Sequence, residues 1–305
     1  MIDLSIIIVS WNVRDLLIVC LDSVLTTTLN IEVIVVDSAS SDATPAMLRV
    51  RYPQVKVLPQ TDNIGFTRGN NLGLAVAQGR YLLLLNPDTE IVGDALAQMV
   101  SYLDQHTEVG IVGPHTLNTD GSTQSTRRRF PGLLTAIFES TWLQPYAPRS
   151  VLDRFYVRDV ADSATADVDW VQGSALMARR EVYAQIGALD EQYMMFSEEM
   201  DWCKRARTAG WRVVYLGVAT IVHHGGKSTE QVAGFKHVYF QQSKLRYFRK
   251  YHGLLVALFL RVFLVVSYAY QLLIEAIKGA LGHRRDLRRE RVSMYWQVIR
   301  ALAGG

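Results

Sequence analysis

The sequence is poor in the features that mark disulfide-stabilised or zinc-stabilised proteins. Only two cysteines occur in 305 residues, Cys20 and Cys203, and their wide separation predicts neither a disulfide framework nor a cysteine zinc site. A reducing compartment fits this composition. No basic leader with a cleavage site precedes the first apolar run, so we expect no secretory signal.

Charged residues are also few, and they are unevenly distributed. They make up 20% of the chain against 49% hydrophobic residues, which excludes a disordered chain. The net charge of +3 combines +9 from Lys244 onward with −6 from the preceding residues. The positive charge is therefore concentrated in the tail, and we expect two parts, residues 1–243 and residues 244–305.

The chain does contain a series of continuous apolar, β-branched runs with helix-like stretches between them. The runs lie at 4–9, 33–36, 55–58, 81–85 and 111–112. Continuous rather than alternating apolar runs are typical of strands buried on both faces, as in parallel sheets covered by helices. The sequence therefore predicts an α/β fold with a mainly parallel sheet.

Local signals predict two helix ends and one irregular region. Asn12 is predicted to cap a helix over 13–25, and Gly79 to end a helix over about 68–78 in a left-handed conformation. The polar, proline-punctuated stretch 117–168 predicts a long excursion. It contains three consecutive arginines at 127–129, which can bind an acceptor pyrophosphate or lie in solvent or against lipid.

The tail contains an almost wholly apolar stretch over 254–274 with basic residues on both sides. At 1.5 Å per residue it is long enough to cross a bilayer core of about 30 Å. A single span would put one basic cluster outside, against the positive-inside tendency. We therefore expect a helix in the cytoplasmic membrane interface, with its basic residues on anionic lipid. Burial in a soluble core or a homo-oligomer interface, and a true span, are the alternatives.

Polar side chains follow three of the predicted strands at their carboxyl ends. Residues 10–12 follow the first strand, 37–42 the second and 86–88 the fourth. Open α/β sheets bind their ligands at this edge, and a buried carboxylate there needs a ribose hydroxyl, a base edge or a divalent cation. Each acid alone is more typical of a turn or a helix cap. Their coincidence predicts a ligand site.

These stretches, the sequence NIGFTRGNN from Asn63 to Asn71, and the acidic block before Cys203 resemble family 2 glycosyltransferases of the GT-A fold. Among these, the chain is most similar to bacterial rhamnosyltransferase-like enzymes of cell-surface polysaccharide synthesis. The resemblance covers about residues 3–230. It implies inverting transfer of a sugar, with rhamnose as the best match, from a nucleotide diphosphate donor such as dTDP-rhamnose. It also implies Mg²⁺ or Mn²⁺ as cofactor, and a lipid-linked or surface glycan acceptor.

The resemblance assigns roles to individual residues. It places donor binding at Ser10, Asn12, Asp37, Asn63, Gly65, Arg68, Asn86, Trp170 and Gly173. It places the metal at Asp88 and His223, with Gly225 and Gly226 following. His223 is preferred to His224 because adjacent strand residues face opposite sides.

The catalytic base implied by the resemblance is Glu199 or Glu198, and the sequence leaves this choice open. Three positions depart from the family pattern: Ser38 stands where asparagine is usual, Asn86 replaces the first acid of the metal motif, and Glu199 replaces aspartate. The acidic block also has a structural interpretation, with Ser197 as an N-cap and Asp201 paired to Arg205 one turn on. Equally, the loop from Asn63 can be a turn, and Trp170 can be ordinary core.

Other functions fit the sequence less well. A sugar-phosphate nucleotidyltransferase needs a glycine-rich triphosphate loop near the N-terminus, and a nicotinamide dehydrogenase needs spaced glycines after the first strand. A nucleic-acid partner is not expected, because the positive charge clusters beside an apolar run without interleaved aromatics. An inactive membrane-peripheral scaffold with the same fold is the non-enzymatic alternative.

Overall fold

The computed structural model describes residues 1–225 and 233–304, with the backbone alone at 233–235. Gly226, which the resemblance places after the histidines, lies outside the described residues. The chain divides into two units. The first comprises Met1–Phe130, Tyr156–Met194 and Glu198–Gln231, and the second comprises Pro131–Phe155, Met195–Ser197 and Val232–Gly305. The boundary expected between residues 243 and 244 stays a prediction.

Within the described residues, the first unit is built on a ten-stranded sheet with helices between its strands. The sheet strands are β1 (Leu4–Ser10), β2 (Ile31–Asp37), β3 (Lys56–Pro59), β4 (Tyr81–Leu85), β5 (Thr89–Ile91), β6 (Val109–Leu117), β7 (Thr123–Gln124), β9 (Ala166–Val168), β11 (Ala175–Arg179) and β12 (Arg212–His223). Two short strands pair separately, β8 (Arg127–Arg128) and β10 (Trp170–Val171). The helices of this unit are α1 (Arg14–Val24), α2 (Thr44–Arg51), α3 (Gly65–Val76), α4 (Ala95–Gln105), α7 (Arg180–Ile186) and α8 (Glu198–Thr208).

The sheet is mainly parallel, as predicted. Its order is β3-β2-β1-β4-β11-β6-β12-β5, with β7 paired to β6 and β9 to β12. Strands β1, β2, β3 and β4 run parallel to one another, and β6 runs parallel to β12. Strand β11 is antiparallel to both β4 and β6, and β5 is antiparallel to β12. The carboxyl ends of β1, β2, β4 and β12 and the amino ends of β11 and β5 therefore share one edge. We call it the carboxyl edge. The α/β prediction is confirmed.

The core of the first unit explains why the apolar runs are continuous. All five residues of β4 are buried, and Ile6, Ile7 and Ile8 of β1 are fully buried. Alternate side chains of these strands point to opposite faces, so both faces of the sheet centre are covered. Burying one such side chain contributes about 1.5–3 kcal/mol, so these strands stabilise the frame that carries the carboxyl edge.

Glycines bring α3 directly onto β1. A Cβ atom at Gly69 would lie 2.7 Å from Val9 Cγ1, and one at Gly73 would clash with Ile7 Cγ2. Only glycine permits this approach of helix to strand.

The prediction that Gly79 ends a helix in a left-handed conformation is wrong, both in where the helix ends and in why a glycine stands here. Helix α3 ends at Val76, and Gly79 does not have a positive φ. Instead, a Cβ atom at Gly79 would lie 2.5 Å from the Ser5 amide nitrogen and 2.8 Å from the Leu4 carbonyl carbon. Glycine is required here because the chain crosses the backbone of β1.

The region 117–168 contains short elements rather than an unstructured excursion, and two of its arginines are buried. Arg127 donates to the Val157 carbonyl (3.3 Å), and its guanidinium lies 4.8 Å from the centre of the Tyr215 ring. Arg128 lies over the ring of Tyr156 at 4.5 Å. Neither guanidinium is solvated as an isolated surface cation would be, and both hold this part of the chain together.

The second unit is helical in the described residues. Its helices are α5 (Leu133–Phe138), α6 (Arg149–Phe155), α9 (Ala233–His252), α10 (Leu254–Ala280) and α11 (Arg285–Ala303), with a short 3₁₀ turn at Gln144–Tyr146. The predicted apolar helix is confirmed as α10 and extends beyond residue 274. Among the described residues, α10 is the one helix long and apolar enough to cross a membrane, judged by length and composition.

We predict that Gly79→Ala destabilises the protein by about 2–3 kcal/mol, because the added methyl group meets backbone atoms that cannot rotate away. Urea unfolding followed by circular dichroism measures the loss. Gly132→Ala is the matched control, since a Cβ atom there meets nothing within 4 Å. Equal unfolding midpoints for the two variants would show that β1 and Gly79 are not in close contact.

Candidate active site

Ser10 and Asp37 lie side by side at the carboxyl ends of β1 and β2. The strands are in register, with Ser10 opposite Asp37, and both side chains are buried. Asp37 Oδ2 accepts a hydrogen bond from the Ser40 amide at 3.2 Å. Within the described residues, Asp37 Oδ1, Ser10 Oγ and Ser38 Oγ have no hydrogen-bond partner. Buried oxygens without partners are costly, so this place suits a ligand that brings hydroxyl or amide donors.

Asn12 organises the loop after β2 and does not cap α1. Its backbone amide donates to Ser40 Oγ (3.0 Å), and its side-chain Oδ1 accepts from the Ser41 backbone amide (2.7 Å). Helix α1 begins at Arg14, whose amide donates to Asp42 Oδ2 at 2.8 Å. The predicted cap is therefore wrong, because an aspartate distant in sequence takes that role. Asn12 instead couples the loops that follow β1 and β2.

An open cavity of about 740 Å³ adjoins these loops. Its lining consists of Asn12, Val13, Arg14, Asp15, Leu16, Asp42, Thr119 and His224. The volume lies within the usual range for small-molecule sites. Because Asn12 follows β1 and His224 follows β12, one space extends along the carboxyl edge between the two strands.

The buried Asp88 and the partly buried His223 form a pair at this edge. Asp88 follows β4, His223 ends β12, and β12 pairs with β5 so that His223 is opposite Thr89. His223 Nε2 lies 3.2 Å from Asp88 Oδ1 and 3.3 Å from the Asn86 side-chain nitrogen. His223 Nδ1 lies 2.7 Å from Gln124 Oε1. Because that oxygen can only accept, Nδ1 carries a proton, and Nε2 faces Asp88 and Asn86.

This pair fits a divalent cation that uses few protein ligands. The 3.2 Å separation of Asp88 Oδ1 and His223 Nε2 is close to the spacing of about 2.9 Å between neighbouring ligands of an octahedral ion with bonds of about 2.1 Å. Within the described residues, no cluster of three His, Cys, Asp or Glu side chains could hold a metal alone. Water and ligand phosphate oxygens would complete the shell, as Mg²⁺ commonly requires.

His224 is placed differently from His223. Its amide donates to the Asp88 carbonyl at 2.8 Å, and its Nε2 lies 3.7 Å from Glu90 Oε2. Its side chain therefore lines the open cavity, whereas the side chain of His223 faces the Asp88 carboxylate.

The first turn of α8 carries two glutamates in different environments. Glu198 is 4% exposed, and its Oε2 has no hydrogen-bond partner in the described part of the chain. Burial raises the pKa of Glu198 well above its ordinary value, and the neighbouring Glu199 carboxylate raises it further. Glu198 is therefore the protonated member of the two, and Glu199 is only partly buried.

Gly173 connects these glutamates to the β4 loop. A Cβ atom at Gly173 would lie 3.8 Å from Cβ and Cγ of Glu199 and 3.7 Å from Phe66 Cζ. One residue further on, the Ser174 carbonyl accepts a hydrogen bond from the Asn86 amide at 2.9 Å. Glu199 and the Asp88 loop are thus held on adjacent segments of the carboxyl edge.

The structural interpretation of the acidic block is partly confirmed. Asp201 is fully buried and accepts from Arg205 Nε at 2.9 Å, one helical turn on. Immediately before the helix, Phe196 and Ser197 each have a φ of +69°. Two consecutive non-glycine residues in the left-handed region store strain beside the glutamate pair, as is common at functional sites.

Three predicted donor-binding residues are engaged with the protein itself. Asn63 Oδ1 accepts from the Gly65 amide at 3.1 Å, which makes a turn before α3. Arg68 Nε lies 3.3 Å from Glu191 Oε2 at the surface.

Trp170 is part of the two-stranded sheet of β8 and β10. It is 8% exposed, pairs with Arg128 across the strands, and its ring nitrogen donates to the Arg129 carbonyl at 3.1 Å. Arg129 Nη1 lies 3.9 Å from Asp169 Oδ1. The geometry at Trp170 is that of a core residue.

Gln124 and Phe66 were not identified from the sequence. Gln124 holds His223, and Phe66 lies beside Gly173. Phe66 lies within the NIGFTRGNN stretch, so that motif could have indicated a residue close to the site. Gln124 lies in the polar region without periodicity, where no local pattern distinguishes it from its neighbours.

Comparison with known proteins identifies the family of the chain. The model of glycosyl transferase family 2 matches residues 5–166. The N-acetylglucosaminyl-diphospho-decaprenol L-rhamnosyltransferase of Mycobacterium tuberculosis is 28% identical over 212 residues, which are 65% of this chain and 68% of that protein. The rhamnosyltransferase WbbL of Escherichia coli is 26% identical over 180 residues, 52% of this chain and 61% of that protein.

Solved structures give the same fold. A mannosyltransferase from Pyrobaculum calidifontis, in complex with GDP-Man and Mn²⁺, matches with a TM-score of 0.57 and 18% identity over 99% of this chain and 86% of that one. The structure of GalNAc-T7 with UDP, GalNAc and Mn²⁺ matches with a TM-score of 0.56 and 15% identity over 73% of this chain and 44% of that one. The GT-A fold expected from the resemblance is confirmed. The family match covers more than half of the chain, which therefore belongs to glycosyl transferase family 2.

Proposed function

We propose that this glycosyltransferase moves a sugar, with rhamnose as the best candidate, from a nucleotide diphosphate donor to a lipid-linked or cell-surface glycan acceptor. In this proposal the reaction inverts the anomeric carbon and uses Mg²⁺ or Mn²⁺. The relatives reported above are named as rhamnosyltransferases, and one carries a decaprenol-linked substrate in its name. These names support dTDP-rhamnose as the first donor to test and a polyprenyl-linked saccharide as the first acceptor.

One observation carries the proposal. Acidic side chains from three distant stretches of chain, at Asp37, Asp88 and Glu198–Glu199, lie on neighbouring elements of the carboxyl edge. The folded chain keeps them buried or half-buried in spite of the desolvation cost. A ligand with hydroxyl donors, two phosphates and a cation offsets that cost at each of the three positions.

In the proposed donor site, Asp37 binds the ribose or the base. Its Oδ1 and the hydroxyl of Ser10 are buried without partners in the described residues, so donor hydroxyl and amide groups would complete their hydrogen bonds. Ser38 replaces the usual asparagine of the family and brings a third such oxygen. The substitution therefore retains hydrogen-bonding capacity at this position.

Asp88 and His223 are the proposed protein ligands of the cation, with Asn86 beside them. When bound, the cation neutralises charge on the donor phosphates as the leaving nucleotide departs. Gln124 fixes the His223 ring so that Nε2 faces Asp88. Such support of a metal-binding histidine by a second residue typically affects metal affinity.

Glu199 is the proposed catalytic base. It accepts the proton of the acceptor hydroxyl while that oxygen bonds to the anomeric carbon and the bond from this carbon to the donor phosphate oxygen breaks. Glu198 is unsuited to this role because its buried carboxyl retains its proton. The longer side chain of Glu199, relative to the aspartate of the family, is compatible with its place beside Gly173.

The proposed location is the cytoplasmic face of the cell membrane, with the enzyme peripheral and its C-terminal helices on an anionic lipid surface. A lipid-linked acceptor would be presented there. Assembly of the chain into a homo-oligomer through the same helices is the alternative use of that surface.

We predict that the purified protein with Mn²⁺ releases nucleoside diphosphate from at least one of a panel of sugar nucleotides, and transfers its sugar to a polyprenyl-diphosphate saccharide. Glu199→Gln should lower kcat by about 100-fold or more, the usual loss when a general base is removed. Coupled detection of released nucleotide measures the rate. Glu198→Gln is the matched control, because the amide imitates the protonated acid and should retain most of the activity.

Two results would contradict this assignment. Loss of turnover in Glu198→Gln, with Glu199→Gln active, would exchange the roles of the two glutamates. A folded protein that turns over no sugar nucleotide would instead be the inactive scaffold.

A second prediction concerns the cation. Nucleoside diphosphate with Mn²⁺ should raise the Tm of the protein more than the nucleotide does alone, because a ligand at 100 times its Kd stabilises by about 2.7 kcal/mol. Asp88→Asn should lose the Mn²⁺-dependent part of the increase. Glu90→Gln is the control, since it removes a more exposed carboxylate that lies near His224. Equal Mn²⁺ effects in both variants, by thermal shift and by manganese EPR, would exclude Asp88 as a ligand.

A third prediction follows from the raised pKa of Glu198. The folded state keeps the Glu198 proton at pH values where the unfolded chain has lost it, so the contribution of Glu198 to the free energy of unfolding falls as pH rises. The Glu198→Gln variant lacks this pH-dependent loss. Its free energy of unfolding relative to that of the wild type should therefore rise by up to about 1.4 kcal/mol per pH unit above about pH 4.3. Urea unfolding from pH 4 to pH 8 measures it. A constant difference across that range would mean that Glu198 is ionised in the folded protein.

A further inference from the structure

Helix α10 presents an apolar face to the outside of the molecule. Every exposed residue between 254 and 277 is aliphatic or aromatic. Leu255, Val262, Val266, Leu273 and Ile277 are 81%, 63%, 62%, 57% and 48% exposed. At about 100° per residue these five side chains lie within about 60° of one another around the helix axis. We call them the apolar stripe, and it runs for about 33 Å.

The buried polar groups of α10 are directed the other way, into the second unit. Glu275 pairs with Arg288 of α11, and the Tyr268 hydroxyl accepts a hydrogen bond from Gln241 Nε2 of α9 at 3.0 Å. A helix at a water-exposed surface normally buries its apolar face and exposes its polar one. The reversed arrangement of α10 is typical of a helix whose outer face meets an apolar medium.

Cations flank the apolar stripe at both ends. Arg249 and Lys250 precede α10, and Lys278, Arg284 and Arg285 follow the stripe, all with exposed side chains. This arrangement complements the anionic headgroups of a bilayer surface, where each cation adds to the attraction.

The packing of α11 opposes a transmembrane course for α10. Tyr268 contacts Tyr295 with ring centres 5.6 Å apart, and Glu275 pairs with Arg288, so α11 runs antiparallel along the inner side of α10. In this register the exposed Arg300 lies beside the middle of the apolar stripe. A span would carry that arginine to the centre of the hydrocarbon, which is among the costliest positions for a charge.

A second copy of the chain is also a poor occupant of the stripe. Two stripes related by a twofold axis can pack antiparallel, which brings Arg249 and Lys250 of one copy towards Lys278 and Arg284 of the other. They can also pack parallel, which brings each cationic cluster towards its own counterpart. Like charges would then meet at both ends of the interface.

We propose that α10 lies in the plane of an anionic bilayer surface, with the apolar stripe in the acyl boundary, its flanking cations on headgroups and α11 on the water side. The proposal deepens the membrane location proposed above. It rests on that location alone and does not require sugar transfer, so the two can fail separately.

Flotation of the full chain with phosphatidylcholine vesicles, with and without phosphatidylglycerol, tests the docking. The wild type should float with the anionic vesicles and less so at high salt. The double variant Val262→Asp, Val266→Asp should lower the partition coefficient by about 10-fold or more. Val218→Asp is the control, because Val218 is 61% exposed on β12 and should leave flotation unchanged.

Depth measurement distinguishes an in-plane helix from a span. Single nitroxide labels are placed on Leu255→Cys, Val266→Cys and Ile277→Cys, and their depths in the anionic vesicles are measured by EPR. The two native cysteines are buried, and burial raises the pKa of both thiols to about 12, so labelling is selective. The proposal predicts equal depths for the three labels. A span instead places the central label about 16 Å deeper than the outer two.

Three results would overturn the proposal: a deeper label at Val266, flotation unaffected by the double variant, or a stable dimer that ignores anionic vesicles and is broken by the double variant. Nucleotide release from sugar nucleotides is measured in parallel without vesicles. Nucleotide release without flotation would refute the membrane docking and support the proposed enzyme activity. Flotation without nucleotide release would support the docking and refute the activity.

Discussion

The first unit depends on holding carboxyl groups at the ends of buried strands and in the first turn of α8, where water is largely excluded. An ionised carboxylate in such a place is unfavourable unless a cation, a hydrogen-bond donor or its own proton compensates it. The three acidic positions use different solutions. Asp37 has one amide donor, Asp88 has His223, and Glu198 keeps its proton. In the described residues, the site is therefore a set of acidic groups that the chain stabilises in three different ways, and not a preformed cation cage.

This arrangement is consistent with a ligand that brings its own charges. A nucleotide diphosphate with a divalent cation supplies hydroxyl donors, phosphate oxygens and positive charge together. The antiparallel strand β11 has a particular role in bringing these parts together. By entering beside β4 it sets Ser174 on the Asn86 amide and Gly173 against Glu199, so the proposed base is adjacent to the proposed metal site.

The second unit has the opposite physical arrangement. It pairs some of its polar side chains internally, such as Glu275 with Arg288, while an aliphatic face of α10 is exposed. Apolar area left outside costs free energy in water but is favourable in lipid. The proposed docking of this unit on lipid therefore rests on the same desolvation argument that governs the acidic edge.

The sequence by itself determined the α/β class, the strands of the sheet centre, the apolar helix and the family, because continuous apolar runs and ordered motifs are local signals. It could not determine the reason for Gly79, the cap of α1, the burial of Arg127 or the part played by Gln124. Each of these depends on a segment at least 28 residues away that only the folded chain brings near. The difference between Glu198 and Glu199 was also decided by tertiary structure, since burial, not residue type, keeps one carboxyl protonated beside the other.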